Sequence, residues 1–191
     1  MDKAILRKSI LSQLRDLPQK EHEQRSIAIM AKLFHDPIFQ SAQTVGLTIS
    51  RYPEVNIMPL IEHCWRLGKR VAVPKCDPQK RTMTFRLLES MDQLEVVYMD
   101  LQEPNEAMTE AIDAGDIDLL VVPGVVFMET GYRIGFGGGY YDRYLAGYRG
   151  ATRSLAFDVQ ITDSVPVESH DIPVAGIITE KRIIDTKAVR R

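Results

Sequence analysis

Only two cysteines, Cys64 and Cys76, occur in the 191 residues, too few for a disulfide scaffold and without metal-finger spacing. No long apolar run is present either. The longest nearly apolar stretch, 119–128, is interrupted by Pro123-Gly124 and falls far short of the roughly 20 residues a membrane helix needs. The chain start sets Asp2, Lys3, Arg7 and Lys8 among its apolar residues, which denies it a signal-peptide core. An excess of one charge is missing as well. With 24 Lys and Arg against 26 Asp and Glu, the formal charge is −2, which excludes a strongly basic nucleic-acid coat but not a local basic site. Repeats and low-complexity tracts are absent. These absences predict a soluble protein of a reducing compartment, cytoplasmic, with no nucleic-acid or membrane partner.

What is present is ordinary globular composition, 45 % hydrophobic and 26 % charged, in a chain long enough to bury roughly 70 % of its unfolded surface. One domain over 1–186 is expected, with a frayed tail at 187–191.

The periodicities outline an α/β protein. Leu6, Ile10, Leu14 and Leu17 mark one stripe of a first helix. Pro18 suits the first turn of a second helix, which sets Ile27, Ala31 and Phe34 on one side and stops before Asp36-Pro37. A short helical turn fits 37–42. Residues 44–50 read as a buried strand, and 56–67 as a helix facing Ile57, Leu60, Ile61, Cys64 and Leu67 inward with Gly68 as its C-cap. Strands are expected at 71–73, 82–88 and 95–99, the last two at an edge, and a helix at 109–114. The run Ile-Asp-Leu-Leu-Val-Val at 117–122 is the strongest strand signal and reads as buried on both faces. Strands at 152–158 and 174–179 complete an α/β arrangement around a mainly parallel sheet.

Eight of the 12 glycines lie between Gly124 and Gly150, and five fall within 131–139. Tyr140-Tyr141-Asp142-Arg143 then opens a helix that ends near Gly147. So many glycines cost conformational entropy. They also let successive backbone N–H groups converge on an anion at a helix N-terminus. The string lacks the Gly-Lys-Ser/Thr ending of a Walker A loop, and Tyr140 stands where a dinucleotide fingerprint needs its third glycine. A phosphate-cradling loop is the reading, against a flexible surface turn.

Around that loop each candidate has two readings. Asp142 is either a first-turn carboxylate complementing the helix dipole or a Mg²⁺ ligand beside phosphates, with Asp171 as a possible second carboxylate. Lys3 and Arg7, four apart on one helix face, are either a solvated face or a polyphosphate clamp. Glu54 follows a strand end, where ligands bind in parallel sheets, or is a turn residue. His22, His35 and His63 read as surface or satisfied residues, Cys64 as core and Cys76 as a strand-end thiol. No Ser-His-Asp arrangement is legible.

Pro123-Gly124-Val125-Val126-Phe127 followed by Gly131-Tyr132-Arg133-Ile134-Gly135-Phe136-Gly137-Gly138-Gly139-Tyr140-Tyr141-Asp142-Arg143 closely resembles the signature of the 5-formyltetrahydrofolate cyclo-ligase family. The opening Lys3-Ala4-Ile5-Leu6-Arg7, Pro53-Glu54, Val73-Pro74-Lys75, Asp171 and Ile177-Ile178-Thr179-Glu180 extend the likeness along the chain. The resemblance implies an ATP- and Mg²⁺-dependent ligase acting on 5-formyltetrahydrofolate, with a three-layer α/β/α fold, its sheet mainly parallel, similar to the sugar-phosphate isomerase and CoA-transferase group. It implies nucleotide contacts at Lys3, Ala4, Ile5, Leu6 and Arg7 and at Arg133, Ile134, Gly135, Phe136, Gly137, Gly138, Gly139, Tyr140 and Tyr141. Metal ligands are implied at Asp142 and Asp171, and folate contacts at Ile49, Glu54 and Phe136 through Tyr140. Tyr140 and Arg133 are the catalytic candidates. Some members carry basic residues where Phe136 and Gly138 stand, a departure in this chain. A sugar-phosphate isomerase without ATP and a non-catalytic folate- or nucleotide-binding protein are the alternatives. A monomer is expected, with a dimer as the other possibility.

Overall fold

The computed structural model describes residues 2–190. Helix α1 (Lys3–Arg15) begins where the Asp2 side chain accepts the Ala4 N–H, and its stripe buries Ile10 and Leu14. α2 (Gln19–Phe34) follows with Pro18 at the N-cap, one position before the first turn. Its inward face is His22, Ser26, Ile29, Met30 and Leu33, while Ile27 is 65 % exposed. The expected face was therefore rotated: two polar residues, His22 and Ser26, take inward positions that a count of apolar residues passes over. α3 (Pro37–Ser41) is capped by Asp36.

Strand β1 (Thr44–Gly46) is shorter than expected: Leu47 still donates its N–H to the Ala72 carbonyl at 2.9 Å, and 48–50 run on outside the strand. α4 (Met58–Arg66) buries Leu60, Ile61 and Cys64 but leaves Leu67, beyond its last turn, 55 % exposed. Gly68, at φ 71°, closes it. β2 (Arg70–Asp77) and β3 (Thr82–Leu88) form a long antiparallel pair. β4 (Leu94–Val96) and β5 (Gln102–Pro104) pair only with each other. The strand expected at 95–99 ends early because Met99 and Asp100 adopt φ of 54° and 59°, outside the range a strand holds.

No helix forms at 109–114. The Glu110 carbonyl accepts the Leu87 N–H at 2.8 Å and the Ile112 N–H reaches the Phe85 carbonyl at 2.9 Å. The open backbone edge of β3 has captured the segment. β6 (Leu119–Val121) is buried on both faces, as its unbroken apolar run required. β7 (Val126–Phe127) and β8 (Arg133–Ile134) form a small hairpin, and α5 (Tyr140–Gly147) follows the glycines. β9 (Ala151–Leu155), β10 (Gly176–Ile178) and β11 (Ile183–Asp185) complete the strands. Beyond them, where a frayed tail was expected, α6 (Thr186–Val189) is capped by Asp185 with Thr186 buried.

The seven-stranded sheet runs β11-β10-β9-β6-β1-β2-β3. Its five inner strands are parallel, and the two edge strands are antiparallel. Alternation along the strands separates two cores. Val45, Val71, Val73, Leu119 and Val121 face α1, α2 and α4, whereas Ala72, Phe85, Leu120, Val122 and Ile177 face α5. Helices on both faces of a mostly parallel sheet make the fold α/β, with the segments after β1, β6, β9 and β10 gathered at one edge.

Candidate active site

At that edge the expected residues fall into two neighbouring groups. The first surrounds Arg133. Its side chain is 4 % exposed and donates to the carbonyls of Pro123 at 3.2 Å and Ile172 at 2.9 Å, with Nη2 3.4 Å from Asp142 Oδ1. Burial pulls the guanidinium below its usual pKa; Asp142 opposes this most, and Asp171 also acts on the charge. Asp142 Oδ1 further accepts the Ile172 N–H at 3.2 Å. One residue back, Asp171 Oδ2 accepts the Glu168 N–H at 2.8 Å and lies 3.3 Å from Lys3 Nζ. Asp142 and Asp171, 29 positions apart in sequence, are thus both tied to the segment 168–172. Glu168 and His170 stand beside Asp171, their ligating atoms within 4.8 Å of one another.

The second feature of this group is the loop. Gly131 is buried under Val174 and belongs to the β7–β8 hairpin, so the accessible part of the glycine string is 135–139. Two guanidiniums bracket it. Arg7 Nε donates to the Gly135 carbonyl and Arg143 Nη1 to the Gly138 carbonyl, at 2.8 and 2.9 Å. A trans peptide points a carbonyl and the following N–H in opposite directions. These contacts therefore turn the N–H groups of Phe136 and Gly139 away from the two arginines. Phe136 is 53 % exposed, and Tyr140 packs over Gly138. Tyr141 points elsewhere: its hydroxyl bonds to Thr48, and burial pushes its pKa up. On α1, Lys3 and Arg7 face this group while Ala4 and Ile5 are exposed and Leu6 packs on the core.

The second group surrounds a cavity lined by Thr48, Ser50, Glu54, Pro123, Gly124 and Gln160. It adjoins the first group through Pro123, whose carbonyl holds Arg133. Burial pushes the Glu54 carboxyl above its ordinary pKa, against one hydrogen bond accepted from the Arg51 N–H at 2.8 Å. A raised folded pKa contributes stability that is complete below the ordinary carboxylate value and is lost as pH climbs through the raised one. Glu54→Gln is therefore expected to gain on the parent protein as pH rises through about 4.5. Melting both proteins across that range checks it: a constant difference in Tm means the carboxyl is not desolvated.

Ile49 lies between Thr48 and Ser50, but its side chain is in the core beneath α1, α2 and α4. Thr48, Ser50 and Gln160 were not singled out from the sequence. The first two carried a signal, polar residues alternating with Leu47 and Ile49 just past a strand end. Gln160 had none. Its Oε1 accepts the Phe157 N–H at 2.8 Å and its Nε2 donates to the Val125 carbonyl at 3.0 Å, which joins the turns after β6 and β9. Lys75 is held by Glu95 and Glu103 at 2.6 and 3.4 Å. Burial, aided at Cys76 by Glu103, pushes both thiols up to about 12, so neither is a nucleophile at neutral pH. A roomier cleft of about 480 Å³ lies beside α2 and β11, but its charged pair, Asp36 with Arg153 at 2.6 Å, is internally neutralised.

Fold and candidate site together have the form of an α/β enzyme, with the candidate residues gathered at the carboxyl edge of a mostly parallel sheet. The chain belongs to the 5-formyltetrahydrofolate cyclo-ligase family, whose profile matches residues 1–180. It is 31 % identical over 170 residues to the 5-formyltetrahydrofolate cyclo-ligase of Escherichia coli K12, covering 87 % of this chain and 93 % of that one. Identity to the Mus musculus cyclo-ligase is 28 % over 186 residues, 92 % of each chain. The NMR structure of Aquifex aeolicus 5,10-methenyltetrahydrofolate synthetase superposes with a TM-score of 0.86 at 31 % identity, covering 98 % of this chain and 94 % of that one. Among the described residues no helix is long and apolar enough to cross a membrane.

Proposed function

We propose that this chain converts 5-formyltetrahydrofolate to 5,10-methenyltetrahydrofolate with ATP and Mg²⁺, releasing ADP and phosphate. Family membership supports the substrate. The observation that carries the nucleotide and metal is the convergence of Arg7, the 135–139 loop, Arg133, Asp142 and Asp171 at one strand edge.

The donor set fits Mg²⁺, a hard cation that takes one or two carboxylates plus phosphate oxygens. The hydrogen bonds of Asp142 and Asp171 use Oδ1 of the first and Oδ2 of the second, which leaves Asp142 Oδ2 for a metal and also Asp171 Oδ1, 3.6 Å from the exposed His170 Nε2 and outside hydrogen-bond distance. Bound there, the ion would offset charge on phosphate oxygens. ATP supplies the phosphoryl group that lets the formyl oxygen leave as phosphate when N10 closes the ring, since oxide alone is a very poor leaving group.

The protein's share is positioning and charge neutralisation. The Phe136 and Gly139 N–H groups, turned away from the arginines, are anion donors at the N-terminus of α5. Lys3, Arg7 and Arg133 add positive charge, which answers the departure at Phe136 and Gly138: here the cations come from α1 and β8 rather than from the loop itself. Tyr140, over the loop, orients the formyl group, and Glu54 holds the folate ring system from the adjoining cavity.

Growth of the methenyl-folate absorbance with purified protein, 5-formyltetrahydrofolate, ATP and Mg²⁺ is the test. Omitting ATP or chelating the metal is expected to reduce the rate to background. Turnover that persists without ATP would sink the reading.

A further inference from the structure

The Glu54 turn is held from beneath by a residue that the reaction scheme does not use. His22 lies on the inward face of α2, 7 % exposed, and its Nε2 is 3.2 Å from the Pro53 carbonyl and 3.0 Å from the Glu54 carbonyl. Carbonyl oxygens only accept, so Nε2 must carry a proton and donate to both. The ring is locked between Tyr52 and Phe157, with centroids 5.3 and 5.0 Å away. One helical turn further on, Ser26 Oγ accepts the Asn56 N–H at 3.3 Å. Two buried polar side chains at i and i+4 of α2 therefore grasp the backbone on either side of Val55.

A buried imidazole whose one N–H is shared between two carbonyls of a turn specifies a backbone path more narrowly than apolar packing can. That turn presents a desolvated carboxylate to the cavity, where displacement by about 1 Å is enough to cost up to about 100-fold.

We infer that His22 is a positioning residue: through its Nε2–H it fixes the turn that aims Glu54 at the folate. This rests on the reading of Glu54 as a folate contact. His22 touches no substrate in this scheme. Its effect is confined to one side of the site, because the nucleotide side is held by Arg7, Arg133 and Arg143 instead.

The test compares His22→Phe, which keeps an aromatic ring but no donor, with His22→Gln, which restores an N–H donor at a similar reach. In His22→Phe the KM for 5-formyltetrahydrofolate is expected to rise about tenfold, with the KM for ATP within about twofold. Amide hydrogen exchange at Glu54 and Asn56 is expected to speed up while exchange in α5 stays constant. His22→Gln is expected to recover both.

Unchanged exchange in His22→Phe would overturn the brace itself. Faster exchange with an unchanged folate KM, or an equal rise in both KM values, would overturn the positioning role. A parallel Glu54→Gln variant separates the underlying reading: a normal folate KM there, with His22→Phe exchange altered, removes Glu54 from the folate site and the inference with it.

Discussion

Arg133→Met is expected to lose about 10²–10³-fold in cyclo-ligase turnover and about 3 kcal/mol of stability, a fall in Tm of about 6–12 °C. The stability loss comes chiefly from what is left behind. The tightest contact of Arg133 is the Ile172 carbonyl at 2.9 Å; the Pro123 carbonyl at 3.2 Å and Asp142 at 3.4 Å are looser. Methionine keeps much of the volume but strands two carbonyls and a carboxylate without their donor. Arg133→Lys is not a conservative remedy, because a single ammonium cannot span three acceptors set around a planar fork. It is expected to melt closer to the parent and still turn over poorly. Adding Asp142→Asn to Arg133→Met relieves the unpaired carboxylate, so part of the lost stability is expected to return with no gain in rate. Calorimetry and initial rates on this set separate the two roles. An Arg133→Met protein with parental melting and turnover would assign the guanidinium to neither.

Arg133 also marks how far the sequence could be read. Its place in the glycine string was legible, because so dense a run of glycines is entropically costly unless the backbone must turn tightly or be approached closely. Its partners were not. Pro123, Asp142 and Ile172 meet around it only because the end of β6, the start of α5 and the crossover from β9 to β10 come together, and no local spacing encodes that. The same limit hid the cavity. Glu54 was legible as a residue after a strand, but Gln160, which lines the same cavity, lies in a short turn that carries no periodic or motif signal.

Periodicity read well wherever one pattern dominated. β6 is buried on both faces because Leu119, Leu120, Val121 and Val122 alternate between the two cores. It failed where a long-range partner outweighed local preference. The 109–114 segment is captured by the free edge of β3, and α2 is turned by the burial of His22 and Ser26, whose hydrogen bonds to the 53–56 backbone make polar residues at home in the interior. Both misreadings share a cause: the deciding partner lay more than 20 positions away in the chain.

The glycines make the same point as a measurable contrast. Sequence treats Gly131 and Gly135 as members of one cluster, yet the structure separates them. Gly131 has φ 92°, and a Cβ there would lie 2.3 Å from the Val174 carbonyl oxygen. That oxygen belongs to a peptide held at both ends: it accepts from the Thr186 hydroxyl, and the Ala175 N–H of the same peptide donates to Thr152 Oγ1 at 2.8 Å. Gly131→Ala therefore combines left-handed strain of about 1–2 kcal/mol with backbone displacement of about 1–3 kcal/mol. A total near 3 kcal/mol corresponds to a fall of about 6–12 °C in Tm. Turnover is expected to fall as well, because pushing Val174 moves Ile172, whose N–H and carbonyl serve Asp142 and Arg133. At Gly135 nothing lies within 4 Å of an added Cβ, so Gly135→Ala is expected to change stability by no more than about 0.5 kcal/mol. Scanning calorimetry on the two variants decides it: if Gly131→Ala melts within about 2 °C of the parent, the tight contact between the hairpin and Val174 does not constrain the fold, and the link from that contact to the Asp142 carboxylate goes with it.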